Sequence, residues 1–293
     1  MNLGTYSPKL ESVPSNRAKI VVREALPTGG FGLLDEIREV ARYTELLYTL
    51  TWREIKIRYK QSIMGLLWAL LMPLVIVGAG VIVRVAFASF SGAQVKMEDI
   101  ALVAVKSAPY AFLVAGTRMG TSSLISNSNL LTKVYMPRLI FPLAAVFAQL
   151  LDFFVASAVL GVFVLAVGVG VSWQLLWLPA LFVILLMLVV GAAILLSAAG
   201  LFFRDVKYVV EVLLTFAIFF VPVFFDSSML GKWKPLILLN PVSPVLEAVA
   251  ATVVHHRMPD LSWLGYSLTF AVVFLALVTA AFRKLEPYFA ESV

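Results

Sequence analysis

The sequence predicts an all-α integral membrane protein with six transmembrane helices, an N-terminal amphipathic interfacial helix, and short external re-entrant helices between the fifth and sixth spans. Three observations carry that expectation. Hydrophobic residues make up 61% of the 293 and charged residues only 14%, against roughly a quarter charged in a soluble domain. Six apolar runs each reach the ~20 residues that cross a hydrocarbon layer of ~30 Å. The basic residues gather in the first sixty positions and in every second loop, a pattern that records topology. The net charge of +6 is therefore read as orientation and not as nucleic-acid binding.

Residues 1–32 are expected to form a flexible cytoplasmic tail, with Pro8, Pro14, Pro27, Gly29, Gly30 and Gly32 among scattered charges and no apolar period. The first long apolar run follows a polar, basic segment and lacks the pattern of a removable signal peptide, so the N-terminus is expected in the mature protein. Residues 33–61 turn helical and amphipathic, with Trp52, Ile55 and Tyr59 on one face and Arg53, Lys56 and Lys60 on another. Such a helix is expected along the cytoplasmic membrane surface. Residues 62–293 form the membrane domain.

The six runs are Met64–Phe87, Ile100–Ile125, Leu139–Val169, Leu175–Phe203, Val206–Phe225 and Leu261–Phe282. Positive charge precedes the first run and recurs at Lys133 and Arg138, at Arg204 and Lys207, and at Arg283 and Lys284. These segments are expected in the cytosol together with both termini, while Trp173, Trp177 and Trp263 mark external helix ends. Between Asp226 and Asp260, Pro235, Pro241, Pro244 and Pro259 interrupt a semi-apolar stretch. It is too broken for a span and too apolar for a free loop, which predicts the re-entrant helices.

Several chemistries are excluded by what the sequence lacks. It has no cysteine, hence neither disulfides nor thiolate metal sites. It has no GxxxxGK[ST] phosphate loop, so ATP must bind another polypeptide. No Gly-x-Ser-x-Gly elbow occurs. His255 and His256 are adjacent and cannot share a helix face, so they read as an external polar turn and no metal site is expected.

Leu50–Leu74, LTWREIKIRYKQSIMGLLWALLMPL, resembles the approach to the first span in polysaccharide-exporting permeases of the ABC-2 type, the O-antigen and teichoic acid export family. Three further segments agree in order and spacing: NLLTKVYMPRLIFPL from Asn129, FFRDVKYVVEVLL from Phe202 and LNPVSPVLEA from Leu239. The sequence departs near Val249 and Ala250, where such proteins usually place an aromatic and an arginine, and the first thirty residues lie outside the likeness. The resemblance implies the permease subunit of an exporter in the bacterial inner membrane, a homodimer bound to two nucleotide-binding subunits that carry ATP and Mg, with no cofactor in this chain. It implies a lipid-linked glycan substrate and no enzymatic activity here.

The polar bridge Asn127–Arg138 is longer than two spans need. Ser128 or Asn129 can cap a short helix there that Pro137 ends, which makes Asn129, Lys133, Tyr135 and Arg138 the expected contacts with the ATPase. Arg53, Lys56, Arg58 and Lys60 can meet acidic lipid headgroups, a pyrophosphate-bearing lipid or the ATPase, with lipid anchoring favoured. Within the spans, Arg118, Asp152 and Glu211 are notable because an isolated charge at mid-bilayer costs at least ~2.5 kcal/mol. Counting along the helices puts Arg118 about 12 Å and Asp152 about 20 Å from the cytoplasmic ends, and they are expected to pair. Gly116 and Gly120 read as a helix-packing face within the subunit. Phe219, Phe220, Phe224 and Phe225 are channel-lining candidates, since sugar rings stack on aromatic planes. Alternatives are an ABC-2 drug or lipid exporter, which should lack the RxxKxRYxxSxxGxxW pattern from Arg53 to Trp68; an ion-coupled secondary transporter, which should show inverted repeats; and a membrane enzyme acting on lipids.

Overall fold

A computed structural model describes residues 40–60, 62, 65, 67–92, 94–133 and 136–290. The predicted tail 1–32, the start of the amphipathic helix and Tyr135 lie outside the described residues. The described helices are α1 (Thr44–Tyr59), α2 (Leu67–Ser91), α3 (Met97–Ser126), α4 (Ser128–Lys133), α5 (Ile140–Ala166), α6 (Leu178–Phe202), α7 (Val206–Phe216), α8 (Lys234–Leu238), α9 (Val242–Val253) and α10 (Leu261–Leu285). Turns of 3-10 helix extend α6 at its start, α7 at its end and α10 at its end.

Helix α3 is the hub, packed against α2, α5, α6, α7 and α9. It is the least apolar of the long helices and the most buried, and the two properties belong together. Lipid favours apolar side chains on helices it touches, whereas a helix enclosed by others tolerates polar groups that bond locally. Thr121 thus donates to the Thr117 carbonyl at 2.7 Å, and Ser107 to the Ala104 carbonyl at 2.7 Å. The expected packing role of Gly116 and Gly120 is met inside the subunit. A Cβ at Gly116 would meet Val189 of α6, and one at Gly120 would lie 2.9 Å from the backbone Cα of Ala193.

Five helices among the described residues are long and apolar enough to cross a membrane: Leu67–Phe90, Met97–Ser126, Ile140–Ala166, Trp173–Phe202 and Leu261–Phe289. They correspond to the first four and the last of the predicted runs. The predicted fifth, Val206–Phe225, is instead the 11-residue α7 followed by the 3-10 turn Ala217–Phe220. Together these rise about 24 Å, short of a hydrocarbon layer. The segment nevertheless climbs the bundle. Glu211 pairs with Arg118, the Leu214 carbonyl accepts from Tyr110, and Asp226 pairs with Lys106, three successively higher points on α3.

The predicted basic segments meet at one end of the bundle. Arg53 of α1 bonds Asn127, Arg138 bonds Glu286, and the rings of Phe202 and Phe289 lie 5.6 Å apart. At the other end His255 faces Glu98 at 3.2 Å. The interrupted stretch after Asp226 folds into short helices there, and α9 is buried against α3, α6 and α10. Asp260 caps α10 by accepting from the Ser262 and Trp263 amides, and two turns further on, Tyr266 and Ser267 donate to the carbonyls of Leu239 and Pro241.

Because the Gly120 contact is with backbone, Gly120→Val is expected to force α3 and α6 apart and to cost about 1–3 kcal/mol. A fall in the thermal midpoint of the detergent-solubilised protein, larger than for a valine at the open position Gly161, checks this.

Candidate functional site

The polar groups of this bundle form two belts. At the basic end, α1 leans along α5, and its faces are not divided as the sequence predicts. Trp52 is exposed with the Lys56 ammonium 5.6 Å from its ring centroid, and Lys60 is exposed. Arg53 and Arg58 instead turn inward, Arg53 to Asn127 and Arg58 to Asp152 at 2.7 Å and to the Gln149 side-chain oxygen at 2.9 Å. The reason is electrostatic: a half-buried carboxylate on α5 needs a cation, and Arg58 is placed to give one. Tyr59 adds a second donor to Asp152. Burial, and then that hydrogen bond, push the Tyr59 phenol up to about 12, so it remains a donor at physiological pH.

The predicted Arg118–Asp152 pair is accordingly not the pair that forms. Arg118 reaches Glu211 of α7 at 2.8 Å, and Asp152 is taken by Arg58. Both line one cleft of about 310 Å³ between α2, α3 and α5, so their nearness is legible in sequence, whereas the partner brought by α1 is not.

Of the expected coupling residues, Asn129 is exposed on α4, Lys133 is the last residue of that helix, and Tyr135 lies outside the described residues. Arg138 is committed elsewhere: its guanidinium donates to the Glu286 carbonyl and lies 5.6 Å from the Phe289 ring centroid, while its amide donates to the Glu286 carboxylate at 3.3 Å. It fastens the end of α10 to the bridge. The four phenylalanines also separate. Phe219 and Phe220 are exposed, Phe225 is half-buried, and Phe224 is buried near Gly80 and Val103. Phe224 is core, because the turn after α7 reverses which side of the chain faces α2 and α3.

The second belt was missed. Lys106 on α3 is completely buried and donates to Asp226 at 2.9 Å, to Glu247 of α9 at 2.8 Å and to the Phe225 carbonyl at 3.2 Å. Arg84 of α2 pairs with Asp99 and, at 3.3 Å, with Asp226. Ser227 donates to the second Glu247 oxygen at 2.9 Å. The rule that singles out Arg118 applies equally to Arg84 and Lys106, which also sit inside apolar runs; that was the available signal.

Lys106→Met would leave Asp226 and Glu247 facing each other without their cation. The expected loss is about 3–5 kcal/mol of stability, read as a lowered thermal midpoint. Asp226→Asn removes one of the two carboxylates that meet Lys106 and should likewise lower the midpoint at neutral pH.

Long apolar helices thus enclose the least apolar of their number, with basic segments gathered at one end of the bundle. Comparison with protein families matches residues 45–254 to the ABC-2 type transporter family. Relatives include the O-antigen export system permease protein RfbA of Myxococcus xanthus, 27% identical over 260 residues that cover 88% of this chain and 98% of the relative. The protein of the same name from Klebsiella pneumoniae is 26% identical over 254 residues, covering 84% of this chain and 94% of its own length. With the family model spanning α1 to the end of α9, this chain belongs to the ABC-2 type transporter family.

Proposed function

We propose that this chain is the permease subunit of an ATP-driven exporter that carries a lipid-linked polysaccharide, of the O-antigen or teichoic-acid-like kind, across the bacterial inner membrane. The observation that carries the reading is the extent of the likeness: the O-antigen export permeases are matched over 94–98% of their own length, bridge and external helices included. In this reading two copies of the chain form a homodimer with two nucleotide-binding subunits, which hold ATP and Mg because the sequence lacks a phosphate loop.

The topology follows the same reading. The climbing segment Val206–Asp226 is a broken sixth span, the short helices before α10 re-enter the outer leaflet, and both termini face the cytosol. Broken backbone at membrane depth is tolerated where protein covers it, and the Tyr110 bond to the Leu214 carbonyl supports that cover. Helix α4 is the contact with the ATPase through Asn129 and Lys133, while Arg138 transmits the displacement to α10. Phe219 and Phe220, exposed on one protomer, line the glycan path.

Co-expression with an ATPase encoded beside this chain tests the proposal. A stable complex is expected, with hydrolysis stimulated by lipid-linked glycan, and a cross-linker at position 133 should capture the ATPase. A permease that captures no ATPase, or a complex indifferent to glycolipid, overturns it. Arg138→Gln is expected to keep the complex but lower stimulated hydrolysis several-fold, since it unfastens α10 without touching α4.

A further inference from the structure

The cleft between α2, α3 and α5 has one feature its internal bonding leaves unexplained. Gln149 lines the cleft and is 3% exposed, and its buried side-chain nitrogen meets no acceptor among the described residues. A buried donor without an acceptor costs about 1–3 kcal/mol, so a group that accepts its hydrogen bond gains that much in binding. The oxygen of the same amide is taken by Arg58, so it is the nitrogen end that is left unmatched.

The surroundings define the missing group. Asp152 also lines the cleft, but both its oxygens are bonded, by Arg58 and Tyr59, so its charge is met from within the protein. Arg118 has one nitrogen on Glu211 and is 44% exposed, which leaves other guanidinium N–H groups for an additional acceptor. The rest of the lining is apolar, Met72, Ala115 and Phe153 among it, and Trp68 stands at the start of α2 with its ring half out of the protein. A tryptophan at the end of an apolar helix marks headgroup level. The unmatched donor of Gln149 and the spare N–H groups of Arg118, beside an apolar trough lined by α2 and α3, match one chemistry: a phosphate ester on a long apolar chain.

We propose that this cleft binds a lipid phosphate from the cytoplasmic leaflet, with the phosphate oxygens on Gln149 and Arg118 and the chain along α2 and α3. Two lipids share that chemistry, an anionic phospholipid and a polyprenyl phosphate. The second rests on the export reading above; the first does not.

Native mass spectrometry of the purified full-length permease, titrated separately with phosphatidylglycerol and with a polyprenyl phosphate, tests the site. Gln149→Leu keeps the volume and removes the donor, and should raise the Kd of the bound lipid about ten-fold. Ala115→Phe fills the trough without touching the polar groups and should abolish the same binding. Diacylglycerol, which has no phosphate, should lose affinity in Ala115→Phe but not in Gln149→Leu. Competition identifies the source, as whichever lipid displaces the other is the preferred occupant, and either result supports the site. Wild-type affinity for both phosphate lipids in both variants overturns it, and if Gln149→Leu fails to assemble, wild-type affinity in Ala115→Phe does so alone. No ATPase is present in this measurement, so its failure leaves the export reading standing, and failure of the ATPase capture leaves the lipid site standing.

Discussion

Lys106 has no route to water. It sits two and a half turns inside α3 with none of its surface exposed, and a buried ammonium is tolerable only if counter-charges come to it. The arrangement of that half of the bundle follows from this demand. Asp226 is brought by the turn after α7 and Glu247 by α9, so the segment least able to hold its own shape in lipid is anchored by two bonds to one side chain, and α9 by a third. Arg84 joins through Asp226 and adds α2 to the same knot. Four otherwise separate pieces of chain are thereby held in one relation.

The opposite end uses the same physics with softer bonds. Arg58, Asp152 and Arg118, Glu211 are only half-buried pairs, and the clasp of Arg138 on Glu286 and Phe289 lies at the edge of the bundle. Less desolvation means less energy lost when a pair opens. A bundle fixed at one end and more loosely laced at the other is suited to receive displacement at the laced end. Between the two, the small-residue seam of Gly116 and Gly120 brings α3 into close contact with α6.

The sequence made much of this legible and some of it not. Apolar length and the alternation of basic loops locate α2, α3, α5, α6 and α10 within a few residues, because lipid allows few ways to bury a backbone. Val206–Phe225 reads in sequence as a continuous span, whereas its helix ends at Phe216, since hydropathy reports the cost of leaving water and is silent on whether the chain is helical. Partners were less legible than positions. Arg118 and Asp152 do share a cleft, yet α1 supplies the cation for one and α7 the anion for the other, and no count along a single helix reveals which neighbour leans in. Phe219, inside the 3-10 turn Ala217–Phe220, and Phe224, five residues on and past the extended Val221, have different surroundings because the chain between them is no longer helical.

The knot at Lys106 also sets an order of events during biogenesis. Arg84 finds Asp99 after 15 residues of chain, but Asp226 and Glu247 lie 120 and 141 residues beyond Lys106. At ribosomal speeds of about 5–20 residues per second, α3 is made at least about 6 s before its counter-ions exist. Through that interval a helix carrying an unmatched cation must rest against the insertion machinery or hold its lysine toward the outer surface. The knot is complete only when the ribosome has passed Glu247, so a chain truncated before α9 carries every residue of the central helix and only one of the two carboxylates that match its lysine.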